Sequence, residues 1–232
     1  MTMSNKLYGR TVQLIFRVGI SALIALCVTQ FVYAQEAQLS AGLDWKLKRD
    51  RDGIRIYLSR VPYSKFKAIR SIMTVKGTPN SLVALVMDLP NCRSWAAMCR
   101  EARIEQRLSV TDSYIYTRNN LPFPVRDLDI VALVKWTRDS ITGKISMISR
   151  ATTGLLPVTK GVIRIEQATS EWHFTPLDSG EVRVESYAHI DPNGAMPAWL
   201  TNILMVDSPY KTMKNMREIV QAGGYTNAQV AF

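Results

Sequence analysis

Residues 191–220 read DPNGAMPAWLTNILMVDSPYKTMKNMREIV, and their reading decides the fold. Asp191-Pro192-Asn193-Gly194 is turn chemistry, because proline presets φ while asparagine and glycine tolerate positive φ. Beyond it Met196, Trp199, Ile203, Val206, Tyr210, Met213, Met216 and Val220 recur every three or four residues. That spacing puts them on one face of a helix. Pro197 suits a first-turn position, where a missing N–H costs little. Pro209 falls inside the pattern, where it removes a backbone bond at about 3 kcal/mol relative to alanine, so a bend at Ser208-Pro209 is expected. About 24 residues at a rise of about 1.5 Å make a rod of about 36 Å. Its wide, methionine-rich face needs a large partner surface, either a packed sheet or the wall of a cavity.

The chain before this helix supplies strands. Asp52-Gly53 is a hairpin signal between strand-like runs, with Ile54, Ile56 and Leu58 alternating against polar neighbours. Leu43–Lys48 reads as a short helix and Phe66–Val75 as a strand. Asn80 or Ser81 can cap a helix reaching Met87. Leu89–Arg100 is a turn or second short helix around Trp95. Seven further strands are expected at 103–109, 113–118, 128–137, 144–150, 162–168, 170–176 and 181–190, separated by turn signals and by no long helix. Such spacing means an antiparallel meander. One sheet has one face to cover, and the C-terminal helix is the only element long enough to cover it. The expected fold is α+β: a curved antiparallel sheet wrapped around that helix, with a gap where a bent sheet and a straight rod do not mate.

The 232 residues carry 47% apolar and 21% charged side chains, values of a globular chain with one substantial core. The net charge of +10 is spread along the sequence with only a short basic run at Lys46–Arg51. This argues against a nucleic-acid partner, which would find its cations concentrated on one element, and fits plain solubility or attraction to anionic headgroups. Residues 1–34 read as a secretory signal peptide: Lys6, Arg10 and Arg17, an uncharged run from Val18, and Val32-Tyr33-Ala34 before a cleavage point. An uncleaved anchor is the alternative, since the apolar run is of marginal length for a span. Residues 35–42 are then a linker, 43–222 the domain and 223–232 a tail, and the chain is expected outside the inner membrane, in the periplasm. Cleavage leaves Cys92 and Cys99, which are either a disulfide or two buried thiols. A bridge requires a break between them, because in one continuous helix their Cα atoms would stand about 10.5 Å apart. With only His173 and His189 as histidines, no metal site or other cofactor is expected.

Four segments together resemble the START family, the lipid-transfer domains related to steroidogenic acute regulatory protein. These are Asp88–Trp95; Pro122-Phe123-Pro124-Val125-Arg126-Asp127; Lys160-Gly161-Val162-Ile163-Arg164; and Asp191-Pro192-Asn193-Gly194 with Pro197-Ala198-Trp199-Leu200. They occur in order over Leu43–Gln221. The resemblance implies a helix-grip fold whose cavity takes one lipid or other hydrophobic molecule. It also implies a lid at Thr152–Lys160, where Gly154, Leu155, Leu156 and Pro157 make a loop suited to transient contact with a membrane surface. Pro209 is the expected hinge on the helix side. Cavity walls are expected from Trp199, Ile203, Val206, Tyr210 and Met213 on the helix and from Ile130, Ala132 and Val134 on a strand. Tyr114, Tyr116 and Arg118 share one strand face, and Arg118 is a candidate headgroup anchor if it points inward. Some sterol-binding members carry a basic residue at the place of Ala132, so a family-type ion pair is not expected there. Arg126-Asp127 reads as a structural turn.

A lipid carrier needs no covalent chemistry and is expected to work as a monomer. An enzymatic reading would recruit His173, or His189 with Asp191 or Glu185, but no nucleophile elbow, metal spacing or carboxylate pair accompanies them. A sensor that binds a lipid or pigment without moving it is the other reading.

Overall fold

A computed structural model describes residues 42–62, 64–192, 200–201 and 203–232. The expected signal peptide, the linker to residue 41, and Trp199 with most of the turn before the C-terminal helix lie outside the described residues.

Strands β1 (Lys46–Arg51) and β2 (Ile54–Arg60) form the expected hairpin. Arg51 pairs with Ile54, and Asp52 and Gly53 both have positive φ, 53° and 70°. That is the primed turn an Asp-Gly pair favours, because its twist matches the strands. The helix expected at Leu43–Lys48 is instead the start of β1: pairing with β2 from Lys46 overrides a helical preference too short to hold alone.

After β3 (Lys67–Lys76), helix α1 (Pro79–Met87) begins at Thr78 rather than at Asn80 or Ser81. Thr78 Oγ1 accepts from Ser81 N at 3.1 Å and Ser81 Oγ accepts from Thr78 N at 3.2 Å, a reciprocal cap. Pro79 takes the first helical position, where its lost donor is unneeded. A 3₁₀ turn (Leu89–Asn91) and short helix α2 (Cys92–Trp95) follow. The chain then breaks through Met98 at φ 70°, and a Cys92–Cys99 disulfide spans the break with Cα atoms 5.9 Å apart.

The remaining strands are β4 (Cys99–Arg107), β5 (Asp112–Asn119), β6 (Leu128–Arg138), β7 (Ile145–Ala151), β8 (Ile163–Arg164), β9 (Gln167–Pro176) and β10 (Glu181–Asp191). They join β1–β3 in one sheet ordered β1-β2-β3-β10-β9-β7-β6-β5-β4. Every pairing along this path is antiparallel. The strand expected at 162–168 is a correction. Ile163 and Arg164 pair in parallel with Leu128 and Asp129 of β6, and Gln167 and Ala168 already belong to β9, paired with Asp191 and Ile190.

The C-terminal helix α3 (Ser208–Gln221) has 14 residues and follows a π turn at Ile203–Asp207, so the uninterrupted rod of about 24 residues is also corrected. Pro209 is the second residue of α3, directly after the π turn, and Asp207 before it keeps helical φ −74° and ψ −44°. Helical backbone therefore lies on both sides of the proline, with the π turn as the local adjustment beside it. Met213, Met216 and Val220 are buried and pack with Ile54, Met73, Val184 and Phe174 in the core. The expected tail folds back: the Phe232 ring packs tilted against Trp136 with centroids 5.8 Å apart, and Tyr225 Oη donates to Asp88 Oδ2 at 2.6 Å. No helix among the described residues is long and apolar enough to cross a membrane.

Candidate functional site

The inward side chains of the sheet change size along the strands. On β3 the inward positions run from Val75 and Met73 to Ser71, and on β10 from Val182 and Val184 to Ser186 and Ala188. On β9 they run from Phe174 through Trp172 to Ser170, and on β7 from Ile145 and Met147 to Ser149. The small residues are neighbours across strands: Ser71 is opposite Ser186, and Ser170 lies between Ala188 and Ser149. Where the side chains are large the sheet and α3 close into a dry core. Where they are small, space remains.

That space forms two adjoining lobes of about 260 and 240 Å³, which share Asn119, Ile130, Ser170 and Trp172 in their walls. The first lobe lies between β3, β9, β10 and the C-terminal helical segment, which contributes Leu204, Met205, Ser208, Pro209, Thr212 and Met213. The second lies between β4–β7 and the α1–α2 segment, which contributes Val86, Cys92, Trp95 and Ala96. The disulfide is thus part of a chamber wall.

The lining is mostly apolar, with two unanswered polar groups. Ser71 Oγ and Trp95 Nε1 are buried without a hydrogen-bond partner, a state that costs free energy until something supplies one. Among the described residues no carboxylate lines either lobe, and the two lining cations, Lys67 and Arg107, are both exposed.

Of the wall residues expected from sequence, Ile130, Ala132, Val134 and Met213 line the chamber. Tyr114, Tyr116 and Arg118 do not. The pairing of Ser113 with Val134, Ile115 with Ala132 and Thr117 with Ile130 turns the odd-numbered residues of β5 inward, and a one-residue step moves a whole set of side chains to the other face. Tyr116 is buried on the outer face beneath the Arg103 guanidinium, 4.1 Å from its ring centre, and burial pushes its hydroxyl pKa up. Arg118 is no headgroup anchor in this arrangement: its Nε and Nη2 each stand 2.8 Å from Asp127 Oδ2, which also accepts from Arg100 Nη1 at 2.9 Å. Asp127 thereby pins the β5–β6 connection, the structural role expected of the Arg126-Asp127 turn.

Ile203, Val206 and Tyr210 also miss the chamber. A π turn takes up an extra residue, so a stripe counted at 3.6 per turn loses phase across it. Tyr210 instead faces the first hairpin. Its hydroxyl donates to Asp52, and its ring lies 5.1 Å from the Arg49 guanidinium, which pairs with Asp207 at 2.7 Å. The expected lid residues Gly154, Leu155, Leu156 and Pro157 line neither lobe. Buried Arg164 donates to Leu156 O at 3.1 Å and Pro157 O at 3.2 Å, tying that loop to Asp129 of β6 on the outer face.

The histidines are elsewhere too. His173 Nδ1 is 3.0 Å from Ser146 Oγ, and His189 Nε2 is 2.9 Å from Ser64 Oγ. Neither lines a lobe. The serines that make the chamber, Ser71, Ser149, Ser170 and Ser186, were missed by reading for apolar walls; their signal is a step from bulky to small along alternate positions, as from Phe174 through Trp172 to Ser170 in SEWHF (170–174).

The fold and chamber define a helix-grip protein with an internal hydrophobic site. The START domain pattern matches residues 28–225, and the chain belongs to that family. An uncharacterised protein of Pseudomonas aeruginosa is 32% identical over 178 residues, covering 77% of this chain and 87% of its own. The phosphatidylcholine transfer protein of Homo sapiens is 25% identical over 190 residues, 78% of this chain and 86% of its own. Among solved structures, a STAR-related lipid transfer protein fragment from Xanthomonas axonopodis has a TM-score of 0.69 and 28% identity, covering 76% of this chain and 98% of that one. The human StAR-related lipid transfer protein 5, at 18% identity and a TM-score of 0.67, shares the fold.

Proposed function

We propose that the protein holds one lipid or similar hydrophobic molecule in the two-lobed chamber and passes it between membranes without covalent chemistry. The observation that carries this is the chamber itself: small inward side chains open an apolar space in the middle of an otherwise close-packed sheet. A lipid chain leaving water gains about 0.8 kcal/mol per methylene in such a site, much as it does in a bilayer, so exchange is near balance and governed by opening. Ser71 Oγ and Trp95 Nε1 offer hydrogen bonds to a polar group on the ligand. Relatives named as lipid-transfer proteins support the reading. In it, opening belongs to the π turn and Pro209 beside the first lobe, and the loop at Gly154–Pro157 touches the membrane surface while Arg164 holds its base. The protein acts as a monomer, after export across the inner membrane and removal of the leader.

The test is transfer of a fluorescent lipid from donor to acceptor vesicles. Acceleration by the protein, saturating at one lipid per chain, is the expected result. Tight capture of the lipid with no acceleration would replace transfer by sensing.

A further inference from the structure

Beside the first lobe lies a second recess of about 420 Å³ with the opposite chemistry. Its walls carry Lys46 and Lys48 of β1, Arg60 at the end of β2 and Lys67 at the start of β3, with one acid, Asp44. Asp44 is exposed and 3.8 Å from Lys46. Among the described residues no carboxylate pairs with Lys48, Arg60 or Lys67. Arg60 and Lys67 are direct cross-strand partners, an arrangement of like charges that disfavours the sheet. Two arginines elsewhere in the sheet do have acidic partners: Arg70 pairs with Glu185 at 2.7 Å and Arg118 with Asp127 at 2.8 Å. Lys48, Arg60 and Lys67, none paired with a carboxylate among the described residues, share this one recess with Lys46.

That place adjoins the chamber. Lys67 lines both the recess and the first lobe, next to Phe66. Ile190, another lining residue of that lobe, is 38% exposed. A rim of cations beside an exposed apolar edge matches an anionic bilayer, whose phosphates meet the charges while its hydrocarbon lies just beneath.

We propose that Lys46, Lys48, Arg60 and Lys67 form the face with which the protein docks on an anionic phospholipid membrane, setting the first lobe against the bilayer. The purpose of this docking rests on the lipid-carrier reading above; the docking itself is measured apart from it. The interaction is between exposed charges, so it weakens as salt shortens the screening length toward about 3 Å at 1 M.

The experiment is co-sedimentation of the chain, as its host cell processes it, with phosphatidylcholine vesicles with and without phosphatidylglycerol. The expected result is a preference for the anionic vesicles that is lost at high salt. Lys67→Gln lowers the preference about fivefold, the effect of one cation near such a surface. K46Q/K48Q/R60Q/K67Q abolishes it, while K76Q/K135Q/K144Q/K211Q, which changes net charge equally, retains it. Equal loss in the two quadruple variants, or no preference in the unaltered protein, overturns the proposal. Loading of a fluorescent fatty acid in vesicle-free solution reports on the chamber alone. K46Q/K48Q/R60Q, which leaves the chamber-lining Lys67 in place, is expected to load normally, and failure of the unaltered protein to load would count against the lipid reading while leaving the docking result to be read by itself.

Discussion

Arg164 donates through Nε and Nη2 to the two carboxylate oxygens of Asp129, at 2.7 and 3.1 Å, and the two side chains are 6% and 0% exposed. The same guanidinium holds the carbonyls of Leu156 and Pro157, so one buried pair joins β6 to the loop after β7. Asp129→Asn leaves an arginine buried without its counter-charge. The expected cost is about 3–5 kcal/mol in urea unfolding, with faster amide exchange at residues 155–158. An unchanged midpoint would mean that Arg164 escapes to solvent at no cost.

Ser170 sits where the two lobes meet. Ser170→Leu fills space that is empty of side chains, so it is expected to raise stability by about 0.5–2 kcal/mol as cavity filling does. Lipid capture is expected to fall at least tenfold. A variant both more stable and inactive separates a chamber from a core; loss of both properties together would mark Ser170 as ordinary packing.

The Cys92–Cys99 bridge closes a short loop with a sequence separation of seven. Chain-entropy arithmetic gives such a loop about 2.5 kcal/mol. Neither cysteine is expected to react with a thiol reagent in denaturant until a reductant is added. Cys92→Ser/Cys99→Ser is expected to lower the unfolding free energy by about that amount and to weaken lipid capture, since both cysteines line the second lobe.

Much of the fold is legible in the sequence because its signals are local. Asp52-Gly53 announces the first hairpin, alternation at Ile54, Ile56 and Leu58 gives β2, and the turn residues space β4 to β10. The C-terminal helix carries its own period. What the sequence does not expose is phase. On β5 each face mixes polar with aromatic or apolar residues, Tyr114, Tyr116 and Arg118 on one and Ser113, Ile115 and Thr117 on the other, so nothing in DSYIYTRN says whether Tyr116 or Ile115 points inward; pairing with β6 decides it. On the helix, the π turn at Ile203–Asp207 rotates the stripe, so Thr212 and Pro209 reach the chamber in place of Tyr210. The disulfide is a middle case: spacing permits it only if a break intervenes, and Met98 at positive φ supplies that break.

Glu185 lies on the outer face of β10. Burial pushes its carboxyl up, but the hydrogen bond from Arg70, the charges of Arg183 and Arg70 and the Tyr187 hydroxyl outweigh burial and hold it below the usual glutamate range. The folded carboxyl is therefore more acidic than the unfolded one, whose value is about 4.3. Its stabilisation is present above about pH 4.3 and is lost as pH falls through the folded value, because there the unfolded chain binds the extra proton. Glu185→Gln is expected to flatten the acid limb of the stability curve below about pH 4.3 and to lower stability at neutral pH. An acid limb identical to that of the unaltered protein would remove Glu185 from the account.

The central claim is that the chamber carries a lipid. Native mass spectrometry of the protein isolated from its own cell envelope tests it most directly. The account predicts a complex of one chain with one hydrophobic molecule, stripped by incubation with excess phosphatidylcholine vesicles and absent in Ser170→Leu. A chain that emerges empty, and stays empty after incubation with lipid, would contradict it.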